Sequence, residues 1–226
     1  SIANDDFESL RSRNAAARAT RSPWTRPMIS RARLPYPAAT AAESASTPSP
    51  SMHPPPFVNN QGERGEFVLP LIMPSVDGVA PAQGVEDDNF DAVTWTLTAH
   101  EARPGHELQF SSMLENGVSL ARALFAFNSV NVEGWALYAE AEMQPYLPLD
   151  GQLIALQFRL LRAARAFLDP GLQQGVMSLD EARRVLTQDV VVTEANAEQE
   201  LERYTFRDPG QATSYFYGYQ RLLELR

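Results

Sequence analysis

The stretch His100-Glu101-Ala102-Arg103-Pro104-Gly105-His106 holds two of the chain's three histidines, with a glutamate directly after the first. Two neutral imidazoles and a nearby carboxylate are the donor set of a catalytic zinc site. A glutamate beside the first histidine is placed to take a proton from a water that such a metal activates. The usual spelling of that site is H-E-x-x-H, in which both histidines share one helical face. Here His106 comes two residues late, and Pro104-Gly105 fills the gap. Six residues along a regular helix turn the chain by about 600°, which leaves His106 roughly 120° away from His100. An unbroken helix cannot bring both rings to one ion. Proline removes a backbone donor and clashes with the preceding turn, while glycine admits unusual dihedrals. Two readings follow. Either the helix is distorted over 103–106 and His106 swings back, or the helix ends at Arg103 and an unrelated histidine sits in the next turn.

A second segment bears on that choice. Asn131-Val132-Glu133-Gly134-Trp135-Ala136-Leu137-Tyr138-Ala139-Glu140 reads as helix, with Glu133, Leu137 and Glu140 on one face. Zinc proteases of the gluzincin type take their third ligand from a glutamate on a later helix. Glu133, 27 residues beyond His106, is the natural candidate and Glu140 the reserve. The alternative for either glutamate alone is a solvated helix face.

His100-Glu101-x-x-Pro104-Gly105-His106-x-x-Gln109 and Glu133-Gly134-Trp135-Ala136-x-Tyr138-x-Glu140 resemble the two signatures of the bacterial "domain of unknown function 885" family. Its members are regarded as zincin-like metallopeptidases. Arg162-Ala163-Ala164-Arg165 with Asp169-Pro170-Gly171-Leu172-Gln173 is similar to that family's arginine-rich helix followed by D-x-G-x-H. Pro209-Gly210-Gln211-Ala212-x-Ser214-Tyr215-x-x-Gly218 is similar to its C-terminal signature. The resemblance runs from about Gly65 to Arg226. One departure is Gln173, where the family usually has histidine; glutamine donates a hydrogen bond but carries no proton charge.

The resemblance implies a zinc site of His100, His106 and Glu133, with Glu101 as general base. It makes Tyr215 the candidate donor to a developing oxyanion, with Tyr219 one turn further along the same face. An aromatic core patch is the alternative for both tyrosines. Gln109 and Glu140 are expected to fix the histidine rings, and Trp135 to be core. Arg162, Arg165 and Arg207 are candidates for gripping a substrate carboxylate bidentately. Pairing with Asp169, Asp208 or nearby glutamates is their structural alternative.

The elements that must position these groups are mostly helical. Asp5 to Thr20 can form a polar helix rich in alanine and arginine. Residues 21–62 are proline-rich, with Pro54-Pro55-Pro56 towards their end, and read as a linker or extended arm that leaves His53 exposed. Glu66–Met73 reads as a strand that Pro70 confines to an edge. An edge strand beside a metal can hold a substrate backbone by strand addition; a structural hairpin is the alternative. Helical patterns then cover Asp91–Ala102, 118–128 and 131–143 with a break near Asn128-Ser129, Leu149–Leu168, 179–188 behind a Ser178/Glu181 capping box, Glu194–Tyr204, and Gln211–Arg226.

Composition narrows the chemistry. The 226 residues suffice for one domain with a sizeable core. Hydrophobic residues make up 44% and charged residues 21%, a globular balance. There is no cysteine, which removes disulfides, thiol nucleophiles and thiolate-bound metals. Every basic residue other than histidine is arginine, which removes a Schiff base and a Walker-type lysine. The net charge of −9 argues against a nucleic-acid partner. Residues 1–34 are nonetheless basic, with seven arginines and three acids, and read as a solvated or docking arm. No apolar run is long enough to span a membrane and no signal peptide is visible, so localisation is unreadable. Family members are generally longer, with a helical lobe before the motif region. A missing N-terminal lobe, a lobe on another chain and a homo-oligomer all remain open.

The expectation is therefore a mainly α-helical, zincin-like metallopeptidase domain over 63–226 with a minor β edge strand, preceded by a helix and proline-rich arm over 1–62. The function it implies is Zn2+-dependent hydrolysis of a peptide or amide bond. A degenerate, non-catalytic homologue acting as a binding or partner subunit is a second reading. A metalloenzyme for a small amide metabolite is a third.

Overall fold

The computed structural model describes residues 50–68 and 90–226, all within one compact unit. The helix expected from Asp5 to Thr20 and the continuation of the strand through Leu69–Met73 lie outside the described residues. The described part opens with a two-stranded antiparallel hairpin, β1 (Ser51–His53) and β2 (Glu66–Val68), in the register Ser51 to Val68 and His53 to Glu66. β1 falls inside the segment read as an arm. Its backbone finds a ladder partner across a turn that Asn60 organises, accepting from Gly62 N–H at 2.8 Å and donating to Glu63 O at 3.0 Å. Pro55 is buried, and His53 is exposed as expected.

Helices make up most of the rest. They are α1 (Asp91–Glu101), α2 (His106–Glu115), α3 (Leu120–Phe125), α4 (Ser129–Met143), α5 (Leu149–Gln173), α6 (Leu179–Arg184), α7 (Glu194–Glu202) and α8 (Thr213–Leu225). The interruption near Asn128-Ser129 is a cap. The Asn128 side chain accepts from Val130 N–H at 2.9 Å and so starts α4. Ser178 and Glu181 form the reciprocal capping box of α6. Wider π-helical turns, Val185–Asp189 and Arg203–Arg207, continue α6 and α7. The 3.6-residue reading does not register them.

α5 runs five residues past its expected end at Leu168, through Pro170. The reason is tertiary. Asp169, fully buried, accepts from Gly210 N–H at 2.9 Å and Ala212 N–H at 3.1 Å. It thereby ties the last turn of α5 to the loop that leads into α8. Leu161, Ala164 and Leu168 of α5 meet Ala182, Leu186, Ala197, Leu201 and Tyr204 in the main core cluster. Fully burying a side chain the size of Leu168 or Leu186 stabilises by about 1.5–3 kcal/mol.

α8 lies along α4 and α5, and α1 packs on the same two helices. The α4–α8 crossing requires glycine on both sides. A Cβ on Gly134 would sit 2.5 Å from the Gly218 carbonyl carbon, and one on Gly218 would sit 2.0 Å from Val130 O. This close approach brings Glu133 of α4 and Tyr215 of α8 to the same end of the bundle as α1. No helix among the described residues is long and apolar enough to cross a membrane.

Candidate metal centre

The helix carrying His100 stops at Glu101, a turn follows over 102–105, and α2 starts at His106. The Arg103–Pro104 peptide bond is cis. Glu107 N–H bonds Ala102 O at 3.1 Å, so the helical ladder resumes one residue wide of its normal register. Gly105 lies directly against the preceding helix: a Cβ there would sit 1.7 Å from His100 O. The Trp135 indole N–H pins the turn, donating to Pro104 O at 3.0 Å and Gly105 O at 3.1 Å. Trp135, expected to be core, is thus a clamp between α4 and the histidine loop.

The result brings His106 back to His100. Their rings meet edge to face at 4.8 Å between centroids. His100 Nε2 and His106 Nε2 each lie 3.5 Å from Glu133 Oε2. Ligand atoms from all three residues fall within 4.8 Å of one another. At bond lengths of about 2.0–2.2 Å, tetrahedral geometry puts neighbouring zinc ligands about 3.4 Å apart. Glu133 Oε2 is buried and has no hydrogen-bond partner, a costly state that a cation would relieve. Its other oxygen faces the Gln211 amide at 3.5 Å, and Gln211 also donates to Ser129 Oγ at 3.0 Å. The residues fit a divalent ion of the zinc type.

Supporting groups orient the ligands. His100 Nδ1 bonds Glu140 Oε1 at 2.6 Å, which leaves Nε2 to face Glu133 and His106. Burial opposes a charge on His100, but the Glu133 and Glu140 carboxylates outweigh it and hold its pKa well above the usual imidazole range. Burial likewise opposes the charge on Glu133, and the two histidines outweigh it, holding its carboxyl well below the usual range. The pocket is thus set for positive charge. Glu101 is buried beside the cluster, 3.9 Å from His100 Nε2. Burial raises its pKa against the pull of His100 and His106, which brings a carboxylate nearer the range of a working base.

Tyr215 is buried, with its ring stacked 6.1 Å from that of His100. Its hydroxyl accepts from Arg203 Nη2 at 3.0 Å. A cavity of about 550 Å³ joins His100, Glu101 and Tyr215 to Arg162, Arg165, Arg203 and Arg207. Other expected roles change. Gln109 does not reach a histidine; three residues beyond His106 on α2 it faces α4, where its amide donates to Asn131 Oδ1 at 3.1 Å. Arg165 is committed to Glu200, with Nε donating at 2.7 Å and a second guanidinium contact beside it. Arg207 pairs with Glu202 at 3.2 Å and donates to Gln199 O. Tyr219 packs on Phe216 with Arg159 over its ring and is not among the residues lining the cavity. Gln173 donates to Tyr204 O at 2.5 Å, a tie between α5 and the turn after α7. Arg203 and Gln211 were not singled out in the sequence. Gln211 stands in the C-terminal signature, but nothing local marks Arg203.

In this helical bundle, His100, Glu101 and His106 on a helix broken at 102–105 meet Glu133 of α4. The chain belongs to the family described as "Bacterial protein of unknown function (DUF885)", whose model matches residues 9–226. Two solved structures are similar. One is described as "a putative lipoprotein of unknown function" from Shewanella oneidensis; it is 25% identical, with a TM-score of 0.62 over 79% of this chain and 32% of that one. The other, described as "the putative lipoprotein" from Colwellia psychrerythraea, is 26% identical, with a TM-score of 0.67 over 84% of this chain and 31% of that one. This chain therefore spans about a third of either neighbour. No curated protein matches it.

Proposed function

We propose that the protein is a zincin-like, zinc-dependent hydrolase of peptide or amide bonds. The observation that carries the reading is the convergence of His100, His106 and the unpartnered Glu133 Oε2, with Glu101 buried beside them. His100, His106 and Glu133 would hold a zinc ion, which would supply the Lewis acidity to polarise an amide carbonyl and acidify water. Glu101 takes the water's proton on its carboxylate and passes it to the leaving nitrogen. Glu140 keeps His100 in one tautomer throughout, and Gln211, itself bonded to Ser129, holds the back of Glu133. Tyr215 accepts a bond from Arg203, so its own O–H proton is available to an oxyanion forming in the cavity.

Metal analysis of the purified protein and of Glu101→Gln, with both assayed on a peptide library, tests this. Both proteins should carry about one zinc, and only the unaltered protein should turn substrate over. Absence of bound metal from both, or full activity in Glu101→Gln, refutes it.

A further inference from the structure

Four arginines reach the cavity, and their surroundings separate them. Arg165 is neutralised by Glu200 and Arg207 by Glu202. Arg162 is different. Its side chain is 8% exposed, its Nε is buried without a partner, and its ion-pair partner, Glu140 Oε1 at 3.6 Å, is already bonded to His100; the Glu101 carboxylate also faces it across the cavity. Arg203 also keeps a buried, unpartnered Nε, while its Nη2 donates to Gln211 Oε1 and the Tyr215 hydroxyl, both neutral acceptors. Both guanidinium groups rest on the same ring, Arg162 at 5.7 Å and Arg203 at 5.3 Å from the Tyr215 centroid. Tyr215 in turn stacks on His100. Two cations with spare donors thus stand one aromatic ring away from the metal ligands. Buried donors left unpaired are costly, more so when charged, so such a pair is built to meet an anion.

We infer that Arg162 and Arg203 bind the free α-carboxylate of the substrate, which makes the enzyme one that cleaves near the C-terminus of a short peptide or an N-acyl amino acid. The inference rests on the hydrolase reading for its location but not for its test. A carboxylate held over Tyr215 leaves the neighbouring amide in the cavity that Glu101 and His100 also line. An aspartate or glutamate side chain offers the same charge, but its bonds to the backbone place the scissile amide differently.

Binding is measured by calorimetry on Glu101→Gln, with zinc content determined separately and the titrations repeated after chelation. Three probes are used: acetyl-Ala-Phe with a free carboxylate, its C-terminal amide, and acetyl-Glu-Phe amide. The free acid should bind at least about tenfold more tightly than the amide, with or without metal, because the carboxylate meets arginine rather than zinc. Acetyl-Glu-Phe amide should match the plain amide. Arg162→Gln and Arg203→Gln should each reduce the preference, while Arg183→Gln, on the exposed α6 surface, should keep it. Equal binding of acid and amide, no binding of either, tighter binding of the glutamyl amide, or a preference that disappears on chelation each overturns the assignment. Absence of zinc from the protein as purified, with the preference intact, sinks the hydrolase reading alone.

Discussion

Gly105 is the position where the smallest change should undo the metal centre. An added methyl would lie 1.7 Å from His100 O, 2.4 Å from His100 C and 2.5 Å from Ala99 O. These are backbone atoms and cannot rotate aside. Carbon and oxygen in close contact stay about 3.3–3.6 Å apart, so the turn must open by roughly 1.6 Å. His106 is the next residue and moves with it. Its Nε2 now stands 3.5 Å from Glu133 Oε2, whereas zinc tolerates departures of about 0.2 Å in its ligand distances. Gly105→Ala should therefore displace one of three ligands. Losing a supporting partner alone costs about 10–100-fold in metal affinity, so losing a ligand should cost more than about 100-fold. The strain should also lower stability by about 1–3 kcal/mol. Competition with a chromogenic chelator measures the first effect and thermal unfolding the second. Gly175→Ala is the control. At φ 68° it is strained, yet nothing lies within 4 Å of the new methyl, so it should lose stability and keep its zinc. Zinc affinity in Gly105→Ala within tenfold of the unaltered protein would refute the argument.

Glu140→Ala removes the acceptor of His100 Nδ1 and should weaken zinc binding by about 10–100-fold in the same chelator assay. Tyr215→Phe should leave KM nearly unchanged and lower kcat by about 10²–10³, the cost of one oxyanion donor; an unchanged kcat would return Tyr215 to the core. Burial disfavours the Glu200 charge, but Arg165 and Tyr204 outweigh it and bring its pKa down to about 2. Its folded pKa lies below the unfolded one, so its contribution is present above about pH 4.5 and drains away as pH falls towards 2. Denaturant melts across that window should show a loss that Glu200→Gln largely lacks.

The metal-capable donor set was legible in residue types. Two histidines, a flanking glutamate and a later glutamate are rare enough together to name the donor set, and the capping box at Ser178 and the break at Asn128 are local signals read from a few neighbours. Pro104-Gly105 announced an interruption without its direction. That direction depends on Trp135, whose indole grips the turn from a helix 30 residues away, and on how closely Gly105 lies against His100 O. The end of α5 was misjudged for the same reason. Pro170 is a local stop signal, but Asp169 binds backbone more than 40 residues on and holds the turn in place. Arginines show the limit most sharply. Arg162, Arg165, Arg203 and Arg207 are one residue type, and a sequence cannot say which of them is neutralised. Glu200 meets Arg165 because α5 and α7 face each other, whereas Glu202 meets Arg207 along the π-helical turn that continues α7. Arg162 and Arg203 are left with spare donors where α5 and the turn after α7 meet the Tyr215 ring of α8. Residue type sets what a side chain is able to do. Which partner it finds is decided by the packing of helices far apart in the chain, because a charge responds only to what stands within a few ångströms of it.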